Sequence, residues 1–470
     1  MQMSRTNEPI KADAASRQLG RTASVGDLRQ WTEAVAGGKI TDWIVISGGN
    51  RCQSFAVDLA LERGRTAELY LRYQPPRPPS AEPYTVWREA AIYAAIKDTP
   101  VPAPRLIAVN SEFQAILTER APGRADYRRL VSEPERAVIA REFVEGLVAL
   151  HKLPPTTIPD LPAGATMTDA VRHELEIWKA MYAETGSADP LIDLALTWLE
   201  NNIPDTTAAP VLVHGDAGPG NFLFNDGHLT ALLDWELAHA GDPMEDLAWF
   251  SMRAVMEPVP SFPELLRYYG EKSGTPVDIS RIRYHRVFVS TRVVIIRHRN
   301  VTGQPGNSIV SRALNRRLLV EALADANGLT LRKVDICAAA PTAQTALFDS
   351  VIDDLRTEIA NASADPRVVS AAKGAAKVLK YLREIDRHSD LFVMQDMAAL
   401  ATLLPLPPRD AATGQAALLE AMRQNEISFA SALDYFAGAV AREAALAASA
   451  SGGLARRGFP PIIDGQSTHG

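Results

Sequence analysis

The sequence predicts an α+β chain: a small antiparallel β lobe, then a mainly helical lobe, then an additional C-terminal α-helical bundle. Three observations carry that reading. Short strand-like runs joined by tight turns crowd residues 43–119, helical periodicity dominates from about 132, and beyond about 333 the composition becomes Ala-rich with almost no strand signal. The expected divisions are a disordered lead at 1–25, the β lobe at 26–123, the helical lobe at 124–332, the bundle at 340–450 and a flexible tail at 451–470.

The strands come first. DWIVIS, SFAVDLAL and ELYLRY are separated by the polar turns GGNRCQ and ERGR, which predicts an antiparallel meander. A helix is expected from about Thr85 to Lys97, followed by strands at Arg105 to Val109 and Ala115 to Glu119 and the connector ERAPGRA. Ser132 with Glu135 reads as a capping box opening a helix that runs to His151. Helical patterns also cover Met167 to Thr185 and Leu191 to Asn201. Val287 to Ile296, interrupted by Arg292, reads as a buried helix rather than a membrane span, which needs about 20 apolar residues. In the bundle, Leu347, Val351, Leu355 and Ile359 share a face, and Asp365 with Pro366 opens a helix through Arg383. Further helices are expected at Leu391 to Leu404, Ala411 to Arg423 and Ser428 to Ala447, with His388 near a helix boundary. Stripes of this width predict a separate bundle that folds by itself.

Between these helical regions lies LVHGDAGPGNFLFNDGHLTALLDWE. His214, Gly215 and Asp216 precede Asn221, a turn at Asn225 to Gly227, and an apolar run that ends at Asp234. A hydroxyl attacking the γ-phosphate of ATP needs a carboxylate to orient it and take its proton, and further oxygen ligands to hold magnesium. Protein kinases fill those roles with an H-R-D-x-x-x-x-N loop and a later Asp. The spacing here makes Asp216 the candidate base and Asn221 and Asp234 the candidate Mg2+ ligands. Only about ten residues separate Asp234 from Asp246, too few for a long activation loop, so a protein substrate is not expected.

With the β lobe, the HGDxxxxN loop, the later Asp and the GDPMEDLAWF segment in this order, residues 26 to 330 resemble the aminoglycoside phosphotransferase-like kinases. The resemblance implies a two-lobed, protein-kinase-like fold with ATP in the cleft. It places Ser47, Gly48, Gly49, Asn50, Arg51 and Ser54 at the phosphate-covering turn, where glycines let backbone N–H groups approach phosphate oxygens. Arg72 falls where the family grips the α- and β-phosphates, with Glu89 its ion-pair partner. An arginine there departs from the lysine of protein kinases, but guanidinium also binds phosphate. Glu119, Arg120 and Ala121 occupy the connector, where backbone groups meet adenine. Asp242 and Asp246 match residues that support the catalytic loop. ISGGNRCQSF, LYLRYQPP and YYGEKSGTPVD are most similar to the branch that holds kinase domains fused to acyl-CoA dehydrogenases and bacterial 4-hydroxyacyl-CoA kinases. The bundle resembles a helical domain of unknown function that accompanies such kinases.

Composition narrows the partners. The net charge of −7 gives no reason to expect nucleic acid, and Cys52 and Cys337 suit neither a disulfide framework nor a zinc site, which fits a reducing cytoplasm. From Arg253 to Arg299, nine Arg or Lys face four Asp or Glu. That surplus favours an anionic acceptor over a polycationic aminoglycoside. The expected acceptor is a small hydroxylated molecule, with a CoA thioester foremost, and a homodimer stays open. The competing readings are an aminoglycoside, choline or homoserine-type kinase and a non-catalytic nucleotide-binding scaffold.

Overall fold

The computed structural model describes residues 20–46, 51–78, 80–299, 305–337 and 339–463. Ser47, Gly48, Gly49 and Asn50 of the expected phosphate turn lie outside the described residues, as do 1–19 and 464–470.

The β lobe starts earlier than expected. Ser24 and Asp27 form a reciprocal capping box that opens helix α1, Val25–Ala36, and the chain before it is pinned by bonds from Ala23 N to Tyr73 Oη (2.8 Å) and Arg21 N to Glu112 O (2.8 Å). Residues 20–25 therefore belong to the lobe, not to a disordered lead. Strands β1 (Gly38–Ile46), β2 (Gln53–Leu61), β3 (Thr66–Tyr73), β4 (Leu106–Asn110) and β5 (Ala115–Glu119) form one antiparallel sheet in the order β1-β2-β3-β5-β4. Its register sets Ser54 and Ile116 on either side of Arg72. Leu28 of α1 packs with Val57, Leu71, Phe113 and Leu117 in a core of the lobe's own. Helix α2, Val86–Ile96, capped by Thr85, packs beside the sheet and presents Glu89 toward β3.

In the helical lobe, α3 (Glu133–Leu150), α4 (Met167–Ala183) and α5 (Pro190–Asn201) precede four short strands. Strand β6 (Val211–Val213) pairs with β9 (His239–Gly241), and β7 (Phe222–Asn225) with β8 (His228–Leu232) make the hairpin between Asn221 and Asp234. Asp226 and Gly227 turn that hairpin with positive φ at both, 49° and 80°. Helices α6 (Pro243–Met256), α7 (Phe262–Ser273), α8 (Ile279–Arg299) and α9 (Pro305–Ala326) follow. Arg292, at 1% exposure inside α8, is neutralised by Glu245 of α6 at 2.5 Å and lies over Phe288, which is how a charge sits in an apolar helix.

The C-terminal helices depart from expectation in four ways. Helix α10, Thr345–Asp354, continues as a π-helical turn at Leu355–Ala360, and its supposed core face stays open: Leu347 is 69% exposed, with Val351 and Ile359 also exposed. Helix α11 runs unbroken through Pro366–Leu403, so His388 is not at a boundary; it is buried mid-helix, with Nδ1 against Glu384 O and Nε2 accepting from Ala339 N. Ser389 and Asp390 cost a helix only some tenths of a kcal/mol each, which packing overrides. Helices α12 (Ala411–Arg423) and α13 (Phe429–Ser451) share one core with the helical lobe, where Leu433, Phe436 and Val440 join Leu319, Val320 and Leu323 of α9. The bundle is thus an extension of that lobe, fastened by Arg316 to Asp189 and Glu443 and by Arg423 to Asp193. Finally, the segment expected as a flexible tail docks back: Pro460 O accepts from Arg286, Arg457 donates to Met256 O, and Ile462 is buried. Among the described residues no helix is long and apolar enough to cross a membrane.

Candidate active site

The HGD segment leaves β6 and is held from beneath. Asp246, fully buried in α6, accepts from His214 N (2.8 Å) and Gly215 N (2.9 Å), and His151 Nε2 lies 2.9 Å from the same carboxylate. Gly215 has φ 76°, and a Cβ there would stand 2.3 Å from Leu237 O, so the turn admits only glycine. His214 Nε2 donates to Leu233 O (2.9 Å), and its ring lies 4.6 Å from that of Trp235, which ties the loop to the chain entering and leaving Asp234. Asp242 caps α6 through Met244 N and is paired with Arg281 and His285.

The loop brings Asp216 against Asn221, whose Nδ2 donates to Asp216 O and Oδ2, both at 2.9 Å. With Nδ2 so occupied, Asn221 Oδ1 is the atom left to meet a cation. A third group completes this cluster: Arg253 of α6 donates to Asp216 through Nε (2.7 Å) and through Nη2 to the other carboxylate oxygen. Burial opposes the Arg253 charge, but Asp216, joined by the charges of Asp234 and Glu257, offsets it and raises its pKa.

The second cluster is assembled across the two lobes. Arg72 of β3 reaches Glu89 of α2 at 3.2 Å, Asp234 at 2.7 Å and Glu236 at 2.6 Å, and Arg51 joins Glu236 (2.9 Å) to Glu82 (2.6 Å). Asp234 sits at the end of the hairpin with φ 65°, a left-handed conformation that turns its carboxylate toward β3. Burial pushes Glu89 up to about 8, only partly countered by Arg72. Burial also raises Glu236, helped by the Asp234 charge, while Asp234 is held below the usual carboxylate range because Arg72 outweighs its own burial. Two neighbouring carboxylates are thereby driven apart in acidity.

Among the described candidates, Arg51, Arg72, Glu89 and Asp234 converge in this second cluster, and Asp216 and Asn221 in the first. Others stand apart. Ser54 is buried within β2 opposite Arg72 rather than in the turn. Glu119 pairs with Arg105 at the sheet surface, and Arg120 with Asp58 and Glu68. The basic surplus after Arg253 is largely paired: Lys272, Arg281, Arg283, Arg286, Arg292 and Arg299 each face a carboxylate within 4 Å. Glu236, Glu82 and the pairing of Arg253 with Asp216 escaped the sequence reading. The glycines on either side of Pro219 were the available signal, since a Cβ at Gly218 would meet Arg253 Cβ at 2.9 Å.

A chain with this loop, hairpin and inter-lobe arginine matches the model of the Phosphotransferase enzyme family (APH) over residues 43–283, a little over half its length, and it belongs to that family. The family is one of phosphotransferase enzymes. The relatives narrow the branch. The chain is 31% identical over 204 residues to Acyl-CoA dehydrogenase family member 11 of Rattus norvegicus and 29% over 194 residues to the protein of that name in Homo sapiens. It is 25% identical over 264 residues to the probable acyl-CoA dehydrogenase IBR3 of Arabidopsis thaliana. These matches take in 41%, 39% and 48% of this chain but 26%, 25% and 32% of those proteins, so the chain spans only a quarter to a third of the relatives' length. Of solved structures, a thermostable mutant of aminoglycoside phosphotransferase APH(4)-Ia, in complex with AMP-PNP and hygromycin B, is similar at 16% identity and a TM-score of 0.46. That match covers 64% of this chain and 98% of the other. Macrolide 2'-phosphotransferase type I is similar at 20% identity and a TM-score of 0.44, covering 67% and 100%.

Proposed function

We propose that this phosphotransferase moves the γ-phosphoryl group of ATP to the hydroxyl of a small metabolite that is not cationic, with a hydroxyacyl-CoA the leading class. The observation that carries the reading is the first cluster: a carboxylate, Asp216, held 2.9 Å from the Asn221 amide five residues on, on a loop pinned to buried Asp246. Asp216 orients the acceptor hydroxyl and takes its proton as the oxygen bonds to the γ-phosphorus and the bond to ADP breaks. Arg72, freed from its carboxylates, meets phosphate oxygens, and Arg51 stands beside it as a second cation.

Magnesium fits the donors present. Among the described residues no group of three or more His, Cys, Asp or Glu could hold a metal ion. Mg2+ does not require one, since it is commonly bound by one or two protein oxygens together with phosphates and water. Asn221 Oδ1 and Asp234 would hold it, and when bound it would neutralise charge on the phosphate oxygens.

For the acceptor, two supports stand together. The curated relatives carry acyl-CoA names, and the charge of Asp216 is matched by Arg253, which removes the anionic attraction a polyamine acceptor would use. The test is ATP consumption with hydroxyacyl-CoAs, free hydroxy acids, sugars and aminoglycosides. Stimulation by hydroxyacyl-CoAs is expected; stimulation by aminoglycosides alone would overturn the acceptor assignment.

A further inference from the structure

The Asp216–Arg253 pair has a geometry that the transfer itself does not call for. A carboxylate offers about four lone-pair directions. Three are taken: Oδ1 by Arg253 Nε at 2.7 Å, and Oδ2 by Arg253 Nη2 and by Asn221 Nδ2 at 2.9 Å. The fork is also specifically accommodated. Gly218, at φ 140°, would place a Cβ 2.9 Å from Arg253 Cβ, and Gly220, at φ 93°, would place one 3.2 Å from Nη1. Arg253 Nη1 reaches Pro219 O between them at 3.3 Å, an anchor that does not depend on Asp216. Two glycines in the segment between Asp216 and Asn221 therefore make room for a guanidinium from another helix.

Resting on the phosphotransfer reading above, we propose that Arg253 is a positioning residue that masks Asp216 until an acceptor arrives, and so protects bound ATP from water. Hydrolysis uses the same bonds as transfer. Water's oxygen joins the γ-phosphorus, the bond to the ADP oxygen breaks, and Asp216 takes water's proton. A bidentate, charge-assisted pair is strong enough to keep a lone water from that carboxylate. A bound metabolite brings binding energy from its non-reacting parts, which can be used to loosen Arg253 at the reacting centre. Arg253 then keeps its hold on Pro219 O. The consequence is coupling: ATP is consumed when the acceptor is present and preserved when it is not.

The experiment needs no identified acceptor. Release of ADP from Mg-ATP alone, and Mg-ATP affinity, are measured for the full chain and for Arg253→Gln, Arg253→Lys and Arg253→Gln combined with Asp216→Asn. Arg253→Gln is expected to release ADP roughly tenfold faster than wild type at unchanged affinity, a part of the 10²–10⁴-fold that a positioned base supplies. Arg253→Lys, which keeps the charge but loses the fork, falls between, and adding Asp216→Asn removes the gain. If both single variants bind Mg-ATP normally and release ADP no faster than wild type, the masking role is overturned while the phosphotransfer reading stands. If neither wild type nor variants bind Mg-ATP, the phosphotransfer reading falls and the masking role with it.

Discussion

Two arginines organise the candidate site, and they do so on opposite terms. Arg253 meets one carboxylate in a one-to-one pair of opposite charges, and both partners come from the helical lobe. Arg72 comes from the β lobe and meets three carboxylates, Glu89 from its own lobe and Asp234 and Glu236 from the other. With Arg51 and Glu82 included, and Arg299 meeting Glu82 from the other lobe, three guanidiniums stand among four acids. The Asp216 side is electrically closed and rests on a fixed scaffold. The Arg72 side carries surplus acid, eased by the protonation of Glu89, and exists only while the lobes meet. A site built this way has a place for a divalent cation and polyphosphate on one side and for an uncharged nucleophile on the other.

The scaffold half of the contrast can be broken at Asp246. Asp246→Ala leaves His214 N, Gly215 N and His151 without their buried carboxylate, and it should cost about 3–5 kcal/mol in denaturant unfolding. The cation half is addressed by Asp234→Asn, which should lower Mg-dependent turnover on the order of 10²–10³-fold with little change in unfolding midpoint. Equal turnover would remove Asp234 from the metal. Arg72→Lys keeps charge but can serve fewer partners at once; the KM for ATP should rise roughly tenfold, as when a good bidentate contact is lost, and acceptor KM should stay as it was.

The smallest effect is the most diagnostic of acid surplus. Glu89 titrates near 8 in the folded protein against an ordinary value of 4.5. A carboxyl raised in this way contributes stability that is complete below about pH 4.5 and lost as pH rises through about 8. Melting temperature relative to Glu89→Gln should therefore fall between those limits. A flat difference would mean that Glu89 is ionised throughout.

How far these clusters could be read from sequence follows from distance along the chain. Asp216, Asn221 and Asp234 lie within one loop and hairpin, so spacing alone brings the first two together. Arg72 and Glu89 could be paired from element order, because a strand and the next helix usually pack side by side. Arg253 could not, since it lies 37 residues from Asp216 on a helix whose facing direction only packing decides. Glu236 could not either, because its two arginine partners come from a loop and a strand of the other lobe. The C-terminal helices were misjudged for a related reason. An apolar stripe says that a helix is covered, not by what: α13 buries Phe436 with α9 of the helical lobe, whereas the stripe of α10 leaves Leu347 and Val351 exposed. The missed α1 had a capping box in plain view, but only a thin stripe at Leu28, Trp31 and Val35.

The central claim is that Asp216 is the base of a magnesium-dependent transfer to a metabolite hydroxyl. It is tested most directly by single-turnover transfer from labelled Mg-ATP to a hydroxyacyl-CoA in wild type and in Asp216→Asn, with Mg-ATP affinity measured on the same samples. Equal affinity and a loss of transfer on the order of 10²–10⁴-fold are expected in the variant. Wild-type transfer rates in Asp216→Asn at equal affinity would contradict the claim.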